Sequence, residues 1–201
     1  MSNTFIVSDT HFSHTNSFAK FKNSDGNPLR PFTSNEEMDD TLISNWNSVV
    51  KPTDKVYHLG DVVINKRALQ LVQKLNGIKR LIRGNHDVFK TTEYIAVGFG
   101  EIYGVRVLAD MILSHIPLAK PCITPRFHRS VHGHLHSNVI NDPTYLNVSV
   151  EQIDFTPISI ENVRLRLKQN DEYFKNTGHV FNWALGRLHQ DSDDISSSGA
   201  N

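Results

Sequence analysis

Five polar clusters, each placed where a short apolar run stops, constrain this chain more than any other feature. Thr4 to Ser8 (TFIVS) runs into Asp9-x-His11, and Lys55 to Leu59 runs into Gly60-Asp61. Ile78 to Ile82 leads to Arg83-Gly84-Asn85-His86-Asp87, and Met111 to Ser114 leads to His115. Arg129 to His132 leads to Gly133-His134-Leu135-His136. Apolar runs of this length, bounded by glycine and polar residues, read as buried strands. Polar groups gathered at strand ends can converge on one rim of a sheet, where open α/β proteins place their sites.

Helical patterns separate the first three strands. Ser34 is placed to cap a helix with Glu36 and Glu37 in its first turn, and Met38, Leu42, Ile43 and Trp46 follow at helical spacing. Ala68 to Leu75 reads as a second helix ended by Gly77. Strand, helix, strand in this order implies a layered α/β arrangement with a parallel component. Residues 17–34, with Gly26, Pro28 and Pro31, read as a loop. Further on, Gly104 to Ala109 and Met111 to Ser114 read as a hairpin about Asp110, and Tyr145 to Val150 as a last strand. The expected organisation is one domain over residues 1–160, a helical extension over 161–189 packing on it, and a disordered tail over 190–201, which is rich in Ser and Asp.

Composition narrows the function classes. Lys and Arg number 21 and Asp and Glu number 21, so there is no basic excess of the kind that coats a polyanion. The single Cys122 excludes a disulfide within the chain. No secretory pattern and no membrane-length apolar segment is visible, so a cytoplasmic protein without a membrane partner is expected. The 11 histidines supply both metal ligands and acid–base groups.

The clusters combine carboxylates, imidazoles and one amide, with no thiolate. That donor set favours manganese, iron, zinc or a similar ion over a structural zinc site. Asp9 and His11 are two apart, as are His134 and His136, so on extended backbone each pair points to one side. Asp61 has two oxygens with which to bridge two cations. Gly60, Gly84 and Gly133 directly precede ligand candidates, where glycine permits a tight turn or close approach. Two metals roughly 3.5–4 Å apart suit phosphoryl chemistry, since they orient the phosphate and generate a hydroxide nucleophile from a bridging water. His86 is placed to protonate the leaving group or to stabilise charge on the phosphate.

In their order, these clusters resemble the motif set of the calcineurin-like metallophosphoesterase family over about residues 4 to 160. The resemblance implies a four-layer αββα sandwich of two mixed β-sheets flanked by helices. It implies that Asp9, His11 and His136 hold one divalent metal, that Asn85, His115 and His134 hold the other, and that Asp61 bridges them. It gives His86 the catalytic role, oriented by Asp61 or Asp87. Manganese is the first expectation for both ions, with iron, zinc or nickel as alternatives. A narrower likeness is to small stand-alone phosphoesterases of bacteria and their phages, carried by Asp9 to Asn16 (DTHFSHTN), Arg30-Pro31-Phe32 and Glu37-Met38-Asp39. Such proteins often have glycine where this chain has Ser13.

Other residues are open to two readings. His14, Asn16, Arg83, Asp87 and Arg126 are candidates for substrate contact or for support of the ligands, against simple roles in loops or surface ion pairs. Lys120, Arg126, His128 and Arg129 could grip a second phosphate or form a solvated loop, and Lys20, Lys22 and Arg30 pose the same choice. His58 and His132 should point away from the ligands by strand alternation and play supporting roles; His179 and His189 read as incidental. The expected activity is hydrolysis of phosphomonoesters or phosphodiesters, with a nucleotide or a small metabolite as substrate. The rivals are a nuclease on DNA or RNA, a protein phosphatase, and a non-catalytic protein-binding scaffold; the sequence does not set an oligomeric state.

Overall fold

Each of the first three strands is followed by a crossover that brings the next strand back parallel to it, and this places four strand ends on one rim. In the computed structural model, which describes residues 2–123 and 126–188, the chain begins with β1 (Thr4–Val7), α1 (Asn16–Ala19), α2 (Asn35–Val49) and β2 (Lys55–His58). A 3₁₀ helix (Lys66–Lys74), β3 (Ile78–Ile82), α3 (Thr91–Ala96) and β4 (Phe99–Tyr103) complete the first half. The second half holds β5 (Val105–Leu108), β6 (Met111–Ser114), α4 (Lys120–Ile123), β7 (Arg129–His132), β8 (Tyr145–Asn147) and β9 (Ile158–Ser159). Then come α5 (Ile160–Thr177) and a hairpin of β10 (Phe181–Asn182) and β11 (Arg187–Leu188). The tail expected over 190–201, and His189, lie outside the described residues.

The strands form two mixed sheets. One has the order β4-β3-β2-β1-β9, with β1 to β4 parallel and β9 antiparallel to β1. The other has the order β5-β6-β7-β8, with β6, β7 and β8 parallel and β5 antiparallel. Ile6, Val56 and Leu81 of the first sheet share one buried cluster with Leu113, Val131 and Leu146 of the second. Met38, Leu42 and Trp46 of α2 and Val163 and Leu167 of α5 close that cluster from the helical layers. The fold is therefore the α/β four-layer sandwich, two mixed sheets flanked by helices, that the sequence led us to expect. A parallel bridge between Ser8 and Ser149 stitches the ends of β1 and β8 together, so the rims of both sheets meet.

Local structure follows local chemistry. Ser34 caps α2, accepting the Glu37 N–H at 3.1 Å. The helix expected over 68–75 is present as a 3₁₀ helix, Lys66–Lys74. Its apolar side chains Leu69, Val72 and Leu75 recur every third residue, which suits three residues per turn. Helical structure beyond residue 160 stops at Thr177, where Gly178 takes a left-handed conformation, and the chain turns into the β10–β11 hairpin rather than continuing as a helix. Strand β4 was not anticipated, because glycine and glutamate interrupt its apolar run. Among the described residues no helix is long and apolar enough to cross a membrane.

Candidate metal centre

Asp61 stands where the two rims meet. Its Oδ2 lies 3.5 Å from His11 Nε2, 3.4 Å from His115 Nε2 and 4.0 Å from His86 Nε2. Its Oδ1 accepts the backbone N–H of His86 at 2.8 Å. On one side Asp9, His11 and His136 form a group able to hold a metal ion, and Asp9, Asp61 and His115 form another, the donor atoms of each group lying within 4.8 Å of one another. The His11 and His136 rings stack at 5.3 Å. On the other side His115 Nε2 lies 2.9 Å from Asn85 Oδ1 and 3.2 Å from His134 Nδ1. The structure thus brings all seven ligand candidates, and His86, to one place.

They do not arrive by strand alternation. Asp9 (φ 59), His11 (φ 45), His134 (φ 70) and His136 (φ 51) are all in the left-handed region, as is Asp61 (φ 58). The expectation that the i, i+2 pairs share one side of an extended backbone is therefore corrected. These residues sit on tight turns just past the strands, and His134 faces His115 while His136 faces His11. A non-glycine residue held in this region costs of order 1–3 kcal/mol and persists only where its surroundings enforce it. Two glycines provide that enforcement by close approach. A β-carbon on Gly133 would collide with Ser8 and the Asp9 carboxylate, and one on Gly84 would collide with Asp61.

The donor chemistry fits cations. Leu59 O lies 2.8 Å from His115 Nδ1 and can only accept, so the ring donates there and Nε2 presents a lone pair. Glu151 Oε1 does the same for His136 Nδ1 at 3.1 Å. Those lone pairs join carboxylate and amide oxygens, so acceptors face acceptors. Asp9 Oδ2 accepts from the His134 N–H and the Ser149 hydroxyl, both at 2.9 Å, while the buried Oδ1 has no hydrogen-bond partner among the described residues. A positive charge relieves such crowding. The imidazoles register it: burial lowers His115, but the neighbouring Asp61 and Asp9 carboxylates outweigh burial and raise it overall. His11, buried and close to Arg30, is held well below its ordinary value.

Asp87 lies beneath the centre. Its carboxylate accepts the backbone N–H groups of Asp61 and Gly84 at 2.8 Å and of Val62 at 3.1 Å, with the Tyr94 hydroxyl at 3.3 Å. It clamps two ligand loops together. His86, its side chain half exposed, stands at the open edge with its ring 5.6 Å from that of His11. His14 lies beside His11, with ring centroids 5.7 Å apart, and Asn16 opens α1. Arg83 donates to Phe89 O and lies over the Tyr94 ring, and Arg126 lies over Phe127. Lys120 is paired with Asp142, and Arg129 with Asp171 on α5, so these two basic residues tie the fold together. His58 is neutral and structural. Gly60 N donates to its Nδ1, so Nε2–H donates to Thr10, whose hydroxyl in turn donates to Val62 O; burial holds its pKa at about 3.

Two contributors escaped the sequence reading. Glu151 was not singled out, and Arg30 read as a basic loop residue; both are buried against the centre. Their 121-residue separation explains the miss.

No family model matches the chain. The uncharacterized protein MJ1445 of Methanocaldococcus jannaschii is 36% identical over 177 residues, covering 80% of this chain and 89% of its own. The Gene 66 protein of Mycobacterium phage L5 is 29% identical over 175 residues, covering 70% of this chain and 80% of its own. Among solved structures, the protein of unknown function AQ665 from Aquifex aeolicus superposes with a TM-score of 0.59 at 26% identity, covering 82% of this chain and 99% of that one.

Proposed function

The chain belongs to one family with the MJ1445 protein of Methanocaldococcus jannaschii, and we propose that it is a calcineurin-like phosphoesterase working with two divalent metal ions. The observation that carries this reading is the position of Asp61 Oδ2, between the imidazoles of His11 at 3.5 Å and His115 at 3.4 Å. A carboxylate oxygen flanked by two sets of lone-pair donors is what a bridging ligand requires. On this reading Asp9, His11 and His136 hold one ion, Asn85, His115 and His134 the other, and Asp61 both. When bound, the pair would neutralise a phosphate and acidify the attacking water.

The protein's own groups do the rest. Asp61 Oδ1 holds the His86 backbone N–H, which fixes the base of the His86 side chain beside the bridge. The exposed ring can then carry a proton on Nε2 to the departing ester oxygen. Beside Asn85 and His115 a cavity of about 290 Å³ opens, walled by Val105, Ile116 and Leu118, with Arg83 at its side. That volume suits the organic part of a small phosphoester, such as a nucleotide or phosphorylated metabolite.

The test is hydrolysis of p-nitrophenyl phosphate and bis(p-nitrophenyl) phosphate by protein stripped with chelator and reloaded with manganese. Turnover should appear on reloading with at least one ester and vanish again with chelator. A reloaded sample that cleaves neither these nor any member of a nucleotide panel would overturn the reading.

A further inference from the structure

Arg30 is wholly buried, an expensive location for a cation unless its surroundings are built for it. Its Nε donates to Glu151 Oε1 at 2.8 Å. Nη1 donates to Thr10 O at 2.8 Å and Nη2 to Asp9 O at 2.5 Å. One guanidinium therefore grips the backbone that carries Asp9 and leads into His11, at two consecutive peptides. Glu151 receives Arg30 and the Nδ1–H of His136 on the same oxygen. Burial alone would raise the Glu151 carboxyl, but the Arg30 charge and the His136 ring outweigh burial and lower it overall.

These contacts are one-sided. Asp9, His11 and His136 are tied to Arg30 or Glu151 directly or through the gripped loop. On the other side, His115 takes its orientation from Leu59 O and faces Asn85 and His134. We propose that Arg30 and Glu151 are a positioning pair dedicated to one half of the centre, presenting Asp9, His11 and His136 to one cation while making no hydrogen bond to Asn85, His115 or His134, which would hold the other. Glu151 fixes the His136 ring with Nε2 bare. Arg30 fixes Glu151 and holds the strained Asp9–His11 turn in register with it. A mere structural ion pair would show no preference between the two metals.

The inference rests on the metal centre proposed above, and its test separates the two. Parent protein, stripped and dialysed against manganese, is counted for metal per chain across a concentration series, and anomalous diffraction from manganese-soaked crystals locates the ions. The parent should hold two. E151Q should bind one ion with its affinity reduced about 10–100-fold, and the ion beside Asn85, His115 and His134 with affinity within about threefold of the parent. Should E151Q not fold, the double variant R30M/E151Q, which leaves no buried charge unpaired, is read in the same way. Two ions held at parental affinity, or both weakened alike, overturns the positioning role while leaving the centre intact. A parent that holds no metal overturns the centre and the inference with it.

Discussion

The Asp87 carboxylate accepts the backbone N–H of Asp61 at 2.8 Å, and so holds the proposed bridging ligand from behind without facing the cleft itself. Four donors converge on that one carboxylate. D87N would turn one acceptor into a donor facing donors, leaving buried groups unsatisfied at about 1–3 kcal/mol. The expected result is a thermal midpoint several degrees lower in chelated protein, with weaker manganese binding because the Asp61 loop is released. An unchanged midpoint would show that the clamp contributes nothing.

His86 is anchored through its backbone, and its half-exposed ring stands at the open edge, 4.0 Å from Asp61 Oδ2. H86A should therefore retain two metals per chain while turnover falls by about 10²–10⁴-fold. Metal counting beside ester hydrolysis reads both. Loss of an ion in H86A would instead place His86 among the ligands.

Ser13 occupies a left-handed conformation, φ 58, and its N–H and hydroxyl both donate to Asp39, at 2.7 and 2.5 Å. The hydroxyl therefore secures locally, in a left-handed turn, what glycine would allow sterically. S13A keeps the strain and loses the hydroxyl, whereas S13G loses both. S13A should accordingly be destabilised by about 1–2 kcal/mol, and S13G by less. Urea midpoints of the two variants decide it; S13G less stable than S13A would refute the strain argument.

The neutral burial of His58 makes stability fall toward acid. Its folded pKa of about 3 lies below the ordinary value of 6.5, so between those limits the unfolded chain binds a proton that the folded chain refuses. Its share of stability is fully present above pH 6.5 and shrinks as pH falls, by about 2–3 kcal/mol at pH 4.5. H58N, whose amide oxygen can replace Nδ1 as acceptor for Gly60, should show a shallower loss between pH 7 and 4.5 in chelated protein. Equal slopes for parent and variant would remove His58 as the source.

Much of this was legible in the chain itself, because strand ends marked by glycine and polar residues are local signals. The Ser34 cap, the β5–β6 hairpin and the convergence of Asp9, Asp61, Asn85, His115, His134 and His136 all follow from short stretches. What escaped depends on distant partners or on backbone geometry. Glu151 resembles any acid in a connecting segment until Arg30 and His136 are folded against it. The left-handed turns at Asp9 and His134 have no signature beyond the glycine before one of them.

Those turns have a further consequence. Apart from glycine, the residues that tolerate a left-handed backbone best are Asn, Asp and His. Five of the seven proposed ligand positions, Asp9, His11, Asp61, His134 and His136, impose that backbone. The admissible alphabet at each is therefore cut twice, by the main chain and by the need for a donor atom, and both cuts leave nearly the same letters. A glutamate or a cysteine could bring a suitable ligand atom and still be the wrong residue for the turn, so altering the metal preference of this scaffold means reshaping its loops as well as its side chains.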